Sequence, residues 1–420
     1  MAGRDINESH RVSTPLELLF DLTFVVAIAV AGTQLHHAVA EHHLGQGLLG
    51  YLTTFAAIWW AWMTFTWFAS AYDTDDAHYR LCTMVQMVGV LVLAAGVPQA
   101  AQGDFTIITI GYVVMRVGLV ALWLRAGRDH PEGRAAAMRY VVGILVVQSL
   151  WVARLALPPA WAYPSFAVLF AAEISVPLWA ARAGHTPWHA HHIAERYGLF
   201  TIIVLGECVL GATNAVGGII ESQGWSWNVM WVGVGSVALI LALWWVYFLV
   251  PFGEALHHHR ERAFRWGYGH FVVFASLAAM GAFLAVVADQ LKQGVGVAAG
   301  AAASAGAAVA AAAPGGAVAA ATAPAHAPVS PTLVIGLVAA AVAIYLTMLW
   351  ILSHHVAGLK QLRLAWVWIT VLGMLAAVVA AVAAGMPLPW ALPALALAPA
   401  LLIAVVERSR RLRPELHEVH

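Results

Sequence analysis

The sequence predicts an all-α polytopic membrane protein, with about twelve transmembrane helices arranged as two parallel six-helix repeats. Three observations carry this. Of the 420 residues, 62% are hydrophobic and only 10% are Asp, Glu, Lys or Arg, against about 25% charged in average soluble domains. Apolar runs of bilayer length alternate with short polar breaks along the whole chain. Basic residues fall almost wholly into every second break, which is the asymmetry that orients membrane proteins. The same composition excludes intrinsic disorder, collagen and coiled coil. Zero formal net charge leaves no electrostatic footprint for nucleic acid. Cys82 and Cys208, the two cysteines, lie in apolar runs and cannot build a disulfide framework.

A bilayer core needs about 20 apolar residues per helix. Reading runs against breaks predicts spans at 15–39, 48–72, 80–101, 105–126, 138–155, 160–182, 193–217, 227–250, 268–292, 332–353, 364–384 and 387–407. Residues 1–14 form a polar tail, and the first run is too long for a signal h-region, so no cleavable signal peptide is expected. A cytoplasmic N-terminus places every Lys and Arg on the cytoplasmic side except Arg116, Arg154 and Lys292, out of 21. Both termini are then inside, including the basic tail 408–420. The Ala/Gly-rich stretch 293–331 is interrupted by Pro314, Gly315 and Gly316. A span there would send the C-terminal arginines outside, so it reads as an external loop insert, partly helical or re-entrant.

Internal similarity supports the repeat. Trp59-Trp60-Ala61-Trp62 resembles Trp244-Trp245-Val246-Tyr247, Leu19-Phe20 resembles Leu199-Phe200, and Trp161-Ala162-Tyr163-Pro164 resembles Trp390-Ala391-Leu392-Pro393. The offset jumps where the Ala-rich insert sits. Residues 15–184 and 185–407 are therefore two six-helix units. Six is even, so both enter from the same side, and parallel repeats of this kind occur in transporters with midplane sites. Chance matching of interfacial Trp belts is the bland alternative.

The first span contains Glu17-Leu-Leu-Phe20-Asp21-Leu-Thr-Phe24, and the seventh contains His192-Ile-Ala-Glu195-Arg196-Tyr197-Gly198-Leu-Phe200, followed by Leu205-Gly206-Glu207. These strings resemble the bacterial low temperature requirement protein A (LtrA) family over most of residues 11–290, and more weakly through the last spans. The resemblance implies a multipass protein of the bacterial inner membrane associated with growth in the cold. It implies no reaction. Phe20-Asp21-x-x-Phe24-x-x-Ala27-Ile28-Ala29 is also similar to the opening of lysosomal-type potassium channels, whose first helix lines the pore.

Ionisable residues at membrane depth are costly and mark functional sites by default. Arg116, Glu173 and Glu207 sit near the middle of their spans, so a transport site or buried charge network is expected among them. One Arg and two Glu leave a carboxylate over, free to hold a proton or coordinate a cation; a network that only fixes helix packing is the alternative. Glu17 and Asp21, four apart, share a helix face at the cytoplasmic mouth, with Glu195 and Arg196 in the same motif. An Arg bridge to another helix is the plainer explanation of that pair. Of the 20 histidines, His189, His192 and His270 are candidates for proton sensing. No zinc pattern or enzyme motif is present, so neither a metal nor a cofactor is expected. The expected partners are the lipid bilayer and a small ion or solute, with homo-oligomerisation open. The leading function is a transporter or ion-conducting protein, linked to protons or cations. The alternatives are a non-transporting component for cold adaptation and an intramembrane lipid-modifying enzyme.

Overall fold

A computed structural model describes the chain apart from residues 2, 7, 9–10, 185, 312–328, 357–364 and 413–420, and apart from the side chains of 215, 222–223, 293–311, 365, 410 and 412. Among the described residues all regular structure is helical: α1 Pro15–Ala40, α2 Leu44–Tyr72, α3 Ala77–Ala101, α4 Thr106–Asp129, α5 Arg134–Arg154, α6 Ala162–Ala181, α7 Ala190–Gln223, α8 Trp227–Phe248, the short α9 Phe252–His258, α10 Ala263–Ala311, α11 Pro331–His355, α12 Ala365–Ala383 and α13 Leu388–Leu412. Twelve of these are long and apolar enough to cross a membrane. The expected span count and order therefore hold. Two differences stand out. The turn after α8 folds into α9, too short to register as a hydrophobic period. The backbone of α10 continues as helix through 293–311, because an Ala-rich stretch carries high helix propensity whatever its hydropathy. The rest of the insert, and the basic residues Lys360, Arg363 and Arg413, lie outside the described residues.

Local chemistry explains the helix starts. Thr14, Pro15 and Glu17 open α1 with a capping box: Thr14 Oγ1 accepts from Glu17 N at 3.3 Å, and Glu17 Oε2 accepts from Thr14 N at 2.8 Å. Asp76 caps α3 by accepting from Tyr79 N at 3.0 Å, and also takes a bidentate bond from Arg125 of α4. Further along that pair the helices touch backbone to backbone. A Cβ on Gly89 would meet Gly111 O at 2.7 Å, and one on Gly111 would meet Leu93 N at 2.6 Å. Small residues that let backbones approach are the usual adhesive between membrane helices, where lipid is as apolar as Leu.

Among the described residues α2 and α10 are the most enclosed spans, each with 78% of its most apolar stretch buried. Around them, α1 packs on α2 and α3, α3 on α4, α4 on α5 and α5 on α6. In the second half α7 packs on α8 and α10, α10 on α11, α11 on α12 and α12 on α13. The halves meet where α1 and α2 contact α7 and α10. Helices α8 and α13 lie against each other, with Pro393 filling the space beside Gly235, whereas α2 and α6 share the wall of a cavity.

The N-terminal tail gathers alternate connectors at one end of the bundle. The Met1 amine pairs with Asp129, Arg4 N donates to Ala71 O, and Arg11 binds the carbonyls of Ala69 and Ser70 that end α2. Arg260 reaches Trp188 O, and Arg262 reaches Val356 O. The basic residues thus share one end. Arg154, an exception at the other end, lies 4.4 Å over Phe105 and donates to Ser165 Oγ at 2.8 Å.

Candidate functional site

Helix α2 separates two buried charge clusters, and its Trp-rich string serves both. Trp60 and Trp62 are two residues apart, about 200° around a helix, so their indoles point to opposite sides.

On one side three helices each contribute a pair spaced by one turn. Glu17 and Asp21 come from α1, His192 and Arg196 from α7, Trp62 and Thr66 from α2. Asp21 is gripped bidentately by Arg196, through Nε at 2.9 Å and Nη2 at 2.5 Å, and accepts from Trp62 Nε1 at 2.7 Å. Arg196 Nη1 lies 2.8 Å from Glu17 Oε1, while Thr66 Oγ1 accepts from Arg196 Nη2 at 3.5 Å. His192 Nε2 is 3.2 Å from Glu17 Oε2; a carboxylate only accepts, so this nitrogen carries the proton and donates. Arg196, His192, Glu17 and Asp21 are all fully buried. The cation needed between Glu17 and Asp21 is Arg196. Arg80, on the same end, is exposed and pairs with Asp75 instead. Glu195 turns aside and accepts from Ser13 N at 3.2 Å. With the guanidinium charged and the imidazole neutral, this cluster carries one surplus negative charge. A burial of that kind is expensive unless a proton or a second cation offsets it.

On the other side of α2 is a cavity of about 440 Å³ bounded by α2, α4, α5, α6 and the start of α10. It runs from the connector residues Gly184, Thr186, Trp188, Arg260 and Glu261 to Arg116 and Glu173 inside the spans. Glu261 and Phe264 in its wall are exposed, so it meets the molecular surface at the N-terminal end. Its inner end is an ion pair. Arg116 Nη2 donates to Glu173 Oε1 at 2.6 Å, and Arg116 Nη1 donates to Thr64 Oγ1 at 3.0 Å. Trp60 Nε1 donates to Glu173 Oε1 and Trp151 Nε1 to Glu173 Oε2, both at 3.0 Å. Glu173 therefore accepts three donors, one of them cationic.

Behind this pair lies a second, smaller void of about 30 Å³. Trp60 and Glu173 line both spaces. Gln148 lines the smaller one, and neither its amide N nor its O has a partner among the described residues. Apart from Gln148, Thr109 and Glu173 the void is walled by aromatic and aliphatic side chains such as Phe105, Ile108 and Phe166. The Trp60–Glu173–Trp151 bridge thus divides a wide vestibule from a water-sized chamber.

The sequence-predicted residues separate accordingly. Arg116 and Glu173 meet; Glu207 does not join them. Glu207 lies half-buried on α7 beside Cys208, which packs on α10, and no hydrogen bond or ion pair of its side chain occurs among the described residues. The expected carboxylate left over exists, but apart from the pair. His189 lies just before α7, where its Nδ1 accepts from His192 N at 3.2 Å and its Nε2 donates to Glu8 O at 2.8 Å. Burial lowers its affinity for a proton, and the neutral ring satisfies both bonds. His270 is enclosed by Tyr197, Trp266, Phe252 and Phe274, with Nδ1 at 2.8 Å from Trp266 O and Nε2 at 3.1 Å from Tyr247 Oη. No group of three His, Cys, Asp or Glu side chains is placed to hold a metal among the described residues. Sequence reasoning missed Trp60, Trp62, Trp151 and Thr64. For Trp60 and Trp62 the signal was tryptophan in the middle of a span, read as an interfacial belt; Trp151, within a turn of its helix end, and Thr64 gave none.

The fold and the two clusters define a helical multipass membrane protein with ionisable side chains paired inside its spans. Residues 12–406 match the family described as bacterial low temperature requirement A protein (LtrA), and the chain belongs to that family. A protein of Rhizobium meliloti (strain 1021), itself named as uncharacterized, is 27% identical over 255 residues, which is 58% of this chain and 60% of that protein. The chain thus spans less than two thirds of the relative's length. No solved structure matches.

Proposed function

We propose that the chain is a transporter of the bacterial cytoplasmic membrane, with its termini in the cytoplasm and its substrate route through the first six-helix unit. One observation carries the reading: a cavity open at the basic end of the bundle penetrates the spans and stops on the Arg116–Glu173 pair, with a water-sized chamber behind it. A structural ion pair needs no vestibule, because empty volume inside a bundle only forfeits packing. The basic end faces the cytoplasm by the positive-inside rule. The order of helix neighbours supports two parallel units of six, since α1 to α6 pack in the sequence repeated by α7, α8 and α10 to α13. On that view the direct α8–α13 contact closes in the second unit the space that stays open between α2 and α6. Glu17, Asp21, His192 and Arg196 then join the units, and their surplus negative charge gives transport a place to couple to a proton or cation. The name of the family links the activity to growth in the cold.

The test is flux across proteoliposomes holding the full chain, under gradients of protons, potassium, sodium and small organic solutes. Transport that falls when Glu173 becomes Gln, while folding is kept by the paired change Arg116→Met/Glu173→Met, supports the proposal. Flux of none of these solutes overturns it, in favour of a non-transporting role in cold adaptation.

A further inference from the structure

We infer that the vestibule between α2, α4, α6 and α10 binds an organic anion with an apolar, ring-sized body, its acidic head toward Arg116. The inference rests on the transport reading above, and names the class of substrate.

The volume of about 440 Å³ falls within the roughly 300–1,000 Å³ of small-molecule sites. The wall is mostly apolar, with the aromatic side chains Trp67, Trp123, Tyr140 and Tyr268 among its lining, which suits a hydrophobic ring-sized body. The polar inventory then sets the sign of the head group. A guanidinium carries five N–H donors, and Arg116 uses one on Thr64 and one on Glu173. Its Nε is buried away from the cavity, and the second N–H of Nη1 and of Nη2 is left over. Glu173, in contrast, already accepts from Trp60, Trp151 and Arg116. The inner end therefore has donors to spare and few acceptor positions left. A carboxylate or other acidic head completes such a set, and charge-assisted bonds to guanidinium are among the stronger hydrogen bonds available.

The outer part of the wall adds to the same sign. Arg260 lies 3.9 Å over the ring of Trp188 and donates to Trp188 O at 2.7 Å; no carboxylate lies within ion-pair distance of it among the described residues. The neighbouring Glu261 is engaged by Arg262 and His259, both at 3.5 Å. The vestibule thus has one cation neutralised by Glu173 and one that is not. An organic cation, which aromatic walls would otherwise welcome, meets at Arg260 a fixed positive charge with no carboxylate partner, and is disfavoured there.

Three probes of one ring system decide the sign: indole-3-acetate, indole-3-acetamide and tryptamine, which are anionic, neutral and cationic at neutral pH. Their binding to the purified full chain in detergent is measured by calorimetry. The expected result is that the acetate binds at least about tenfold more tightly than either of the others, and that Arg260→Gln reduces this preference. Equal or tighter binding of tryptamine or the amide overturns the inference, as does absence of binding by all three. The comparison is made on the unmodified protein, so it does not depend on a variant folding. Anion-selective binding without flux in proteoliposomes would remove the transport reading and leave the ligand assignment. Ion flux without anion-selective binding would do the reverse.

Discussion

Replacing Glu173 with Gln tests how far the two sides of the ion pair depend on each other. The carboxylate takes Trp60 and Arg116 on Oε1 and Trp151 on Oε2. The amide oxygen of Gln replaces Oε1, but its NH2 then faces the Trp151 indole N–H, donor against donor. Arg116, buried and stripped of its counter-charge, keeps Thr64 and the face of Tyr112 at 5.3 Å. Breaking a buried pair from one side costs about 3–5 kcal/mol, because the remaining charge is uncompensated. Arg116→Met alone falls in the same range, leaving a carboxylate supported by two neutral indoles. Arg116→Met/Glu173→Met removes both charges and keeps the volume, so its cost is well below the sum of the singles. The assay is a double-mutant cycle on unfolding in detergent micelles, with the four proteins at one pH and lipid content. A coupling energy of about 2 kcal/mol or more is expected for groups in contact. A coupling below about 0.5 kcal/mol, the range of independent sites, would refute the claim that Glu173 and Arg116 neutralise each other.

Three further outcomes follow from other parts of the molecule. Arg196→Met, which leaves Asp21 and Glu17 together without their cation, destabilises by about 3–5 kcal/mol; Arg80→Met, at an exposed pair with Asp75, costs under about 1 kcal/mol, and similar losses in thermal unfolding of the two would contradict the assignment. Gly111→Leu separates α3 from α4, because Gly89 O and Leu93 N already occupy the space beside its Cα, and yields little folded protein by size-exclusion chromatography, whereas Gly373→Ala, with open space around it, elutes as the parent does. Burial, with Glu17 nearby, pushes the Asp73 carboxyl up from an ordinary 3.8 to about 6, so the folded chain holds that proton to higher pH than the unfolded chain. Stability from this group is complete below about pH 4 and lost as pH rises through 6; Asp73→Asn is therefore indistinguishable from the parent in acid and about 2 kcal/mol more stable near neutrality. A gap that does not change with pH would sink that account.

How far the site was legible depended on whether its parts share a helix. Glu17 and Asp21 were readable as one face because four residues make one turn. An Arg bridge to another helix was readable, but fixing it as Arg196 required α7 to be laid against α1, a pairing 175 residues apart in the chain. Arg116 and two glutamates were readable as charges at depth, yet only the tertiary placement of α6, packed on α5, brings Glu173 to Arg116 and leaves Glu207 elsewhere. Trp60 and Trp62 looked like members of an aromatic belt, because hydropathy does not distinguish an indole facing headgroups from one facing a buried carboxylate. The cavity was not legible at all. It is a gap between helices, and a gap has no residues of its own.

By itself the sequence determined the solvent, the twelve spans and the end of the bundle that carries the arginines. Those are sums over single segments: each helix satisfies its own backbone bonds and meets lipid as a unit, so about 20 residues at a time suffice to read it. Tertiary structure alone decided which charges neutralise which, where α2 divides two clusters, and where the bundle stays open. Those are pair properties at a few ångströms between segments far apart in the chain, and in a bilayer they depend on packing and hydrogen-bond geometry rather than on hydropathy. The zero net charge of the chain conceals both outcomes: arginines gathered at one end, and a few carboxylates drawn inside to meet two of them.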